Sequence, residues 1–433
     1  MLQQGQLVLP RRVVTGDLVL EDGVIAQIAP RAEVRAGDDV VDARGSLVLP
    51  GLIDAQARFR AYTRKGDEDL HSGSLAAVKG GVTSVLEVPD DHPDDAHDRR
   101  TLAAKLELAR ESCVIDHGLW VRARPDNLEE VARLDGVVGA RLALDCSEGQ
   151  REHAERWFAG YPHVLAVHAE DRGRLASRYA IYTENPDVTL HHHIRDVETV
   201  VRGTRLALDL AARHGTRLHL FQLTSEEEVR LVVEAANPRV TAGVTLPHLA
   251  FDAADVEKVG ARLQCNPPIR TARHREALWR ALQDGSVPLV CSDHCPQGLS
   301  SKRVPYPHSA SGMPTIEWLL PAMLTAREAR GFALTDLARW LSDAPARAFG
   351  LARKGRLEVG YDADVVLVDP CMEREVTDSA TLSRAGWSPF AGRILRGWPR
   401  SVWAHGRAVL RDGELFPRVR GRPLNPLSRS PSP

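Results

Sequence analysis

The middle of the chain alternates between short apolar runs and longer amphipathic stretches, and this alternation limits the possible folds more than any other feature. One amphipathic stretch begins at Ser225 with Glu228 three residues later, a pair that satisfies free N–H groups at a helix start. Seven or eight strand–helix units over about 300 residues fit a (β/α)8 TIM barrel, an α/β fold whose active site lies at the carboxyl ends of the strands. The strand candidates are 82–88, 114–121, 137–144, 163–168, 217–224, 240–245 and 287–292.

Both chain ends show a different pattern, in which short runs of alternating apolar and polar residues are separated by turn residues. A hairpin turn at Glu21-Asp22-Gly23 separates two such runs near the start, and residues 355–415 repeat the pattern. We therefore expect the two ends to build one small sheet domain together. The predicted regions are a β-sandwich domain from 1–50 and 355–417, a barrel at 51–354, and a disordered tail at 418–433 that is rich in Pro, Arg and Ser.

Composition argues against several kinds of partner. The chain has 433 residues and a formal net charge of -2, so its overall charge does not favour nucleic acid or an anionic membrane. No apolar run reaches the roughly 18 residues that span a bilayer, and the first residues lack a signal-peptide pattern. The six cysteines form no CxxC pair, as expected for reduced thiols. We expect a cytoplasmic protein with neither nucleic-acid nor membrane partners.

A series of short motifs relates the chain to a known family. The run Pro50-Gly51-Leu52-Ile53-Asp54 has the pattern of a first barrel strand, and other matching stretches follow in order. On these motifs the chain resembles dihydroorotases of the long bacterial type, members of the amidohydrolase superfamily, over roughly residues 5–425. The supporting stretches are 67–74, 76–83, 166–171, 266–270, 292–296, 311–314, 360–364 and 388–392.

The resemblance implies an enzyme that opens or closes the ring of dihydroorotate. Two divalent metal ions, usually zinc, would activate a water that attacks the ring amide. Two of the six family metal positions are kept, namely His168 and Asp293, the second of which is also the family's general base. The other four hold Gln56 and Arg58 in place of a His-x-His pair, Arg141 in place of a carboxylated lysine, and Gln222 in place of a histidine.

These four replacements remove the usual metal chemistry. Glutamine is a poor neutral ligand compared with imidazole, and arginine stays protonated and has no lone pair to offer a metal. Arg58 and Arg141 would also bring positive charge to the place where two dications should lie. Catalytic zinc needs about three protein ligands plus water, and the two kept residues supply fewer. We therefore expect no metal cofactor.

The substrate positions that the resemblance implies are partly kept. Arg60 stands at the family's carboxylate-binding arginine, and Asn266 and Gly312 lie in matching stretches, so these three are the candidate substrate-binding residues. The family's substrate asparagine is replaced by Asp90, which would repel an anionic ligand. The pocket has therefore changed together with the metal site.

Two functions follow from this pattern. In the first, the chain is a non-catalytic dihydroorotase homologue of pyrimidine biosynthesis. It would be a structural or regulatory partner of aspartate carbamoyltransferase or of a second copy of itself, and a dihydroorotate-like small molecule would bind if the pocket survives. In the alternative, the chain is an active dihydroorotase, allantoinase or hydantoinase that carries one or two zinc ions on a rebuilt site. That site would use His168, Asp293 and a further ligand such as His248 or Cys295.

The sequence also predicts what replaced the metals. Asp293 would be left as a partly desolvated carboxylate, which is unfavourable without a cation. Arg58 and Arg141 should point into the barrel as their family counterparts do. We predict a salt bridge from one of these arginines to Asp293, with Gln56, Gln222 and His168 completing the hydrogen bonds.

Overall fold

Eight parallel strands form a nearly closed barrel in the middle of the chain. The structure, a computed structural model, describes residues 1–61, 67–90, 95–146, 148–182, 186–424 and 426. Over these residues the strands are β1 Leu2–Val8, β2 Val13–Glu21, β3 Val24–Ala29, β4 Val41–Asp42, β5 Leu47–Pro50, β6 Leu52–Ala57, β7 Val82–Glu87, β8 Asp116–Arg122, β9 Val137–Leu144, β10 Val164–Ala169, β11 Arg217–Leu220, β12 Val240–Thr245, β13 Leu289–Cys291, β14 Val365–Glu375, β15 Ile394–Ala404, β16 Arg407–Arg411 and β17 Glu414–Leu415.

The barrel consists of β6 to β13 in sequence order, each strand parallel to the next. Every residue of β6 and β7 is buried, as expected for strands covered on both faces. The first and last strands meet through Arg58, whose N–H donates to the His294 carbonyl at 2.7 Å. Ser292 strengthens this closure because its N–H donates to the Asp54 carboxylate at 3.1 Å. The predicted fold class is thus confirmed.

Helices follow the barrel strands and pack outside them. The α-helices are α1 Leu70–Lys79, α2 Arg99–Ser112, α3 Leu128–Val131, α4 Glu148–Gly160, α5 Arg172–Ile181, α6 His191–Ile194, α7 Val197–His214, α8 Glu226–Ala235, α9 Leu246–Ala250, α10 Ala253–Val259, α11 Ala272–Gln283, α12 Leu299–Lys302, α13 Leu319–Arg330, α14 Leu334–Ala338 and α15 Ala344–Ala348. The N-cap Ser225 accepts from the Glu228 N–H, as the sequence predicts. No helix in the described ranges is long and apolar enough to cross a membrane.

Both chain ends contribute to a second sheet, which is largely antiparallel. Its strand order is β17-β16-β15-β14-β5-β1-β2-β3, with β4 beside β1. The two ends meet where β5 pairs with β14 over Leu47 to Pro50. β5 is followed directly by Gly51 and the first barrel strand, so this sheet sits beneath the amino ends of the barrel strands.

A buried ionic group, named here the floor cluster, joins the sheet to that end of the barrel. It comprises Lys354, Asp116, Asp362, Asp364 and His405. The Lys354 Nζ lies 2.5 Å from an Asp116 oxygen, 2.6 Å from Asp364 and 3.1 Å from Asp362. His405 Nε2 lies 2.7 Å from Asp116. Because Asp116 begins a barrel strand and Asp364 precedes β14, the cluster links the two parts of the fold.

The described part of the predicted disordered tail is instead bound to the barrel. Gly421 N–H donates to the Cys113 carbonyl at 3.0 Å, and Leu424 N–H donates to the His117 carbonyl at 2.8 Å. A Cβ on Gly421 would lie 1.8 Å from the Ile115 oxygen, so this close backbone approach requires glycine. The amino-acid composition of the tail does not reveal such a backbone contact, so it predicted disorder here. Residues 425 and 427–433 of the predicted tail lie outside the described residues.

Candidate functional site

The carboxyl end of the barrel, here called the mouth, brings together the residues at the six family metal positions. Gln56 and Arg58 come from the end of β6, Arg141 from β9 and His168 from β10. Gln222 follows β11, and Asp293 follows β13. Asp293 has φ 51°, a backbone conformation uncommon outside glycine. Such strain is frequent at functional sites.

Two glutamines and an aspartate form a buried hydrogen-bond chain across the mouth. The Gln56 Nε2 donates to the Asp293 carboxylate at 2.8 Å and also to the Gln222 side-chain oxygen. The Gln222 Nε2 in turn donates to the Asn266 carbonyl at 2.8 Å. Gln56 is only 1% exposed, so these contacts are made away from bulk water. The two amides thus connect strands one, six and eight of the barrel. Gln56 bonds to Asp293 as predicted, whereas Gln222 bonds to Gln56 and Asn266.

An arginine reaches the aspartate from the same side. Arg58 Nη1 lies 3.6 Å from the Asp293 Oδ1, and the two side chains are 15% and 8% exposed. Burial raises the pKa of Asp293 to about 6, while the Arg58 charge and the Gln56 hydrogen bond oppose the rise. The predicted salt bridge to Asp293 is therefore confirmed, with Arg58 as the partner.

His168 does not take the place that the sequence predicts. Its Nε2 lies 2.8 Å from a Glu170 oxygen instead of bonding to Asp293. Burial lowers the pKa of His168, and the neighbouring charges of Arg141 and Arg195 act in the same direction. Glu170 also accepts from the Arg195 guanidinium, whose Nε lies 3.1 Å away. Burial would raise the pKa of Glu170, but Arg195 and His168 hold it well below its usual range.

A cavity of about 240 Å³ opens above these groups. Asp293, Asn266, Ser311 and Gly312 contribute to its lining. Arginines outnumber carboxylates in this cavity by four to two. The ionic residues are Arg58, Arg141, Arg172, Arg195, Glu170 and Asp293.

The three predicted substrate-binding residues are distributed around this cavity. Asn266 and Gly312 line it directly, whereas Arg60 reaches Cys295, a lining residue, with Nη1 3.8 Å from the sulfur. Gly312 has φ 121°, and a Cβ there would lie 2.4 Å from the Cys295 carbonyl oxygen, so only glycine fits. Their role in binding a substrate stays a prediction.

Sequence reasoning missed Glu170, Arg172 and Arg195. Glu170 carries a signal that was available, because it stands two residues after His168 and such residues share one face of a strand. Arg172 begins α5 and Arg195 follows α6, so their approach to the mouth depends on how loops fold over the barrel.

A neutral histidine supports the cavity wall. The His191 Nε2 lies 2.9 Å from the Asn266 side-chain oxygen and 3.1 Å from the Cys265 carbonyl, two acceptors that require a proton on Nε2. The Tyr306 hydroxyl lies 3.1 Å from Nδ1 and can donate to it. Burial lowers the pKa of His191 to about 4, with the Arg195 charge acting in the same direction. Asn266 is therefore held in place by an uncharged ring.

The donors at the mouth do not fit the zinc centre that the resemblance implies. Within the described ranges, no group of three or more His, Cys, Asp or Glu side chains could hold a metal ion. His248, a possible extra ligand, has Nδ1 2.7 Å from the Thr245 hydroxyl and Nε2 3.1 Å from the Pro267 carbonyl. Asp293 already contacts the Gln56 amide and the Arg58 guanidinium, which cannot ligate a metal.

Comparison with known proteins relates the whole chain to one family. The profile of the Amidohydrolase family matches residues 47–409. A dihydroorotase of Methanosarcina mazei is 32% identical over 412 residues, which cover 91% of this chain and 90% of the relative. An allantoinase of Streptomyces avermitilis is 31% identical over 440 residues, which cover 98% of both chains.

Solved structures agree with this relationship at the level of the fold. The L-hydantoinase (dihydropyrimidinase) of Arthrobacter aurescens superposes with a TM-score of 0.91 at 24% identity, covering 98% of this chain and 99% of that one. A dihydropyrimidinase from Brevibacillus agri gives a TM-score of 0.90 at 24% identity, covering 99% of both chains.

Proposed function

Because the chain belongs to the amidohydrolase family, we propose that it is a dihydroorotase-like homologue that does not hydrolyse cyclic amides. Its relatives are of the dihydroorotase, allantoinase and hydantoinase type. In this chain the barrel keeps its shape and its pocket but lacks the groups that activate water.

One observation carries the proposal, the contact of Asp293 with Arg58 and Gln56. The guanidinium lies 3.6 Å from the carboxylate and the amide nitrogen lies 2.8 Å from it. A general base must reach the proton that it abstracts. Here the carboxylate already accepts from one side chain and pairs with another, so the positive charge of Arg58 replaces that of a metal without supplying a Lewis acid.

The neighbouring replacements point in the same direction. Arg141 and Gln222 offer no metal-binding equivalent of a carboxylated lysine and an imidazole. His168 retains an imidazole, but its Nε2 faces Glu170 at 2.8 Å. The alternative, an active zinc enzyme, would need all these contacts to rearrange. The hydrolysis assay described below would detect such an enzyme.

A homologue without turnover would act through binding. We propose that it associates with aspartate carbamoyltransferase or with a second copy of itself. We also propose that the pocket retains a dihydroorotate-like ligand. The resemblance to dihydroorotases supports this part of the proposal. Co-purification and sedimentation of the full chain with and without the carbamoyltransferase would test the partner.

The hydrolytic claim is tested by initial rates on dihydroorotate, allantoin and hydantoin, each with and without added zinc. We expect no turnover above the uncatalysed background. A rate within about tenfold of a typical enzyme's 10 per second would overturn the proposal.

Two variants serve as matched controls. Arg58→His alone should stay inactive, because the other changed positions still lack ligands and Arg141 still brings a cation. A fourfold variant with Gln56→His, Arg58→His, Arg141→Lys and Gln222→His restores the whole family donor set and should bind zinc. Turnover in Arg58→His alone would indicate a partly intact site.

A further inference from the structure

A second cavity, named here the sheet-edge cavity, lies where the edge of the small sheet meets the end of helix α1. Its volume is about 250 Å³. The lining comes from Lys79, the last residue of α1, from Leu382, and from strands β14 to β17 with the turn between β16 and β17. Among the described residues, no side chain lines both this cavity and the mouth. The sheet-edge cavity is therefore a separate site that the proposed function leaves unused.

Apolar side chains form much of this lining. Trp398 and Leu410 are 3% and 4% exposed, and three partly buried residues pack against the main core beside them, namely Met372, Leu382 and Leu415. The Trp398 Nε1 already donates to the Leu395 carbonyl at 2.9 Å, so the indole offers the cavity an apolar ring rather than a hydrogen-bond donor. Removal of an apolar ligand surface from water against these side chains is favourable.

Three of the four charged side chains in the lining already form ion pairs. The Lys79 Nζ lies 2.7 Å from the buried Glu317 carboxylate. The Arg400 Nε lies 2.6 Å from the Asp412 carboxylate, and both of these residues line the cavity. Their charges are thus balanced within the protein.

Arg374 is the fourth charged side chain, and it has a different environment. Over the described ranges it forms no ion pair, and its guanidinium carbon lies 5.4 Å from the centroid of the Trp398 ring. A cation over an aromatic face is attracted to the ring. The planar guanidinium can stack in this way and still direct a fork of N–H donors at a carboxylate. The cavity therefore places one anion-binding group beside an apolar surface.

The dimensions of the sheet-edge cavity limit the ligand further. Its volume of about 250 Å³ lies below the roughly 300–1,000 Å³ of pockets for drug-sized molecules. A short apolar body with a single charged end matches both this volume and the chemistry of the lining.

We propose that the sheet-edge cavity binds a short monocarboxylic acid, with its carboxylate on Arg374 and its apolar body against Trp398 and Leu415. Such a ligand would contact strands β14, β15 and β17 together and reach the end of α1, so it would bridge the small sheet and the barrel. The site is independent of the chemistry at the mouth, and its test does not depend on whether the chain hydrolyses cyclic amides.

The test is titration calorimetry of the full chain at neutral pH with hexanoate. Hexanamide is the matched control that keeps the apolar body and loses the charge, and acetate keeps the charge and loses the apolar body. We expect hexanoate to bind with a dissociation constant in the millimolar range or tighter, and both controls to bind at least tenfold more weakly. Across butanoate, pentanoate and hexanoate, each added methylene should strengthen binding about threefold, as apolar burial predicts.

A charge reversal locates the binding. Arg374 is exposed, so Arg374→Glu carries little risk to folding. This variant should bind hexanoate at least tenfold more weakly than wild type and should instead bind hexylammonium, which has the same apolar body and the opposite charge. Arg407→Glu is the control, because Arg407 is an exposed residue of the neighbouring strand β16 that lies outside the lining. Its affinity for hexanoate should stay within about twofold of wild type, since exposed charges at a distance are screened by salt.

A second variant tests the apolar part of the site. Leu415→Ala shortens a partly buried side chain on the edge strand and leaves Arg374 in place. It should weaken hexanoate at least threefold and leave acetate unchanged.

Several results would overturn the proposal. These are no binding of hexanoate, equal binding of hexanamide, or equal losses of affinity in Arg374→Glu and Arg407→Glu. Wild-type affinity for hexanoate in Arg374→Glu would place the ligand elsewhere, such as in the mouth, and would equally overturn it.

Discussion

The mouth and the floor of the barrel both bury charged groups, yet they do so in opposite ways. In the floor cluster, Lys354 is 4% exposed and lies within 3.1 Å of three carboxylates. At the mouth, the closest approach of Arg58 to Asp293 is 3.6 Å, and a cavity lies beside the pair. Buried charge alone therefore does not mark a binding site.

The largest expected effect lies in the floor. Lys354→Met leaves three carboxylates without their shared cation, and removal of one partner from a buried pair typically costs roughly 3–5 kcal/mol. Urea unfolding would measure the loss. Arg353→Met is the control, because Arg353 also contacts Asp362, at 3.2 Å, but is 63% exposed, and exposed pairs contribute about 1 kcal/mol or less. Equal losses in the two variants would contradict the difference drawn between buried and exposed pairs.

Acid should destabilise the mouth through His191. Since burial lowers the pKa of His191 from 6.5 to about 4, the folded chain binds fewer protons than the unfolded chain between these values. The stability due to neutral His191 is therefore complete above pH 6.5 and is lost as pH falls to about 4. The loss is at most about 3 kcal/mol.

Asp116 of the floor cluster should stay ionised over the same pH range. Burial would raise the pKa of Asp116, but His405 and Lys354 hold it well below its usual range. The free energy of unfolding should be measured at pH 7 and pH 4.5 for wild type and for His191→Gln. The difference between the two proteins gives the contribution of His191 to the pH dependence, because they share all other titrating groups. The variant should lose less stability on acidification, and an identical loss would show that His191 is not buried as a neutral ring.

The mouth ion pair should be weaker than the floor cluster. We expect Arg58→Met to cost roughly 1–3 kcal/mol, because the raised pKa of Asp293 lets the carboxyl take up a proton near neutrality and the cavity admits water. Arg172 lines the same cavity but is exposed, so Arg172→Met should change the free energy of unfolding by less than about 0.5 kcal/mol. A double-mutant cycle with Asp293→Asn would isolate the pair, and a coupling energy near zero would rule out a direct interaction.

The barrel was predictable from the sequence because its signal is local. Alternating strand and helix patterns need no knowledge of long-range contacts. The contacts of Gln56 and Arg58 with Asp293 were also predictable, since family register places these residues at strand ends that meet at one edge. The bond from Gln222 to the Asn266 carbonyl was not. The floor cluster was not, because its lysine and aspartates come from segments whose meeting depends on the docking of two sheets.

The cavity lining was the least predictable part of the site. Arg172 and Arg195 arrive on loops and helix ends, and neither lies in a strand whose direction the pattern fixes. His168 was expected to hydrogen-bond near Asp293. Its Nε2 instead pairs with the carboxylate of Glu170, two residues further along the chain. The sequence thus indicates which groups are lost from the metal site better than it indicates what the remaining groups bind.

Crystals of the full chain soaked in zinc provide the most direct test of the central claim, that an arginine–aspartate pair occupies the mouth in place of metal. Anomalous diffraction at the zinc absorption edge locates any bound ion without assuming its ligands. We predict no anomalous peak at the mouth, with an Arg58 nitrogen still within about 4 Å of the Asp293 carboxylate. A peak bound by His168 and Asp293, with the Arg58 side chain displaced, would contradict the account and favour a zinc enzyme with a rebuilt site.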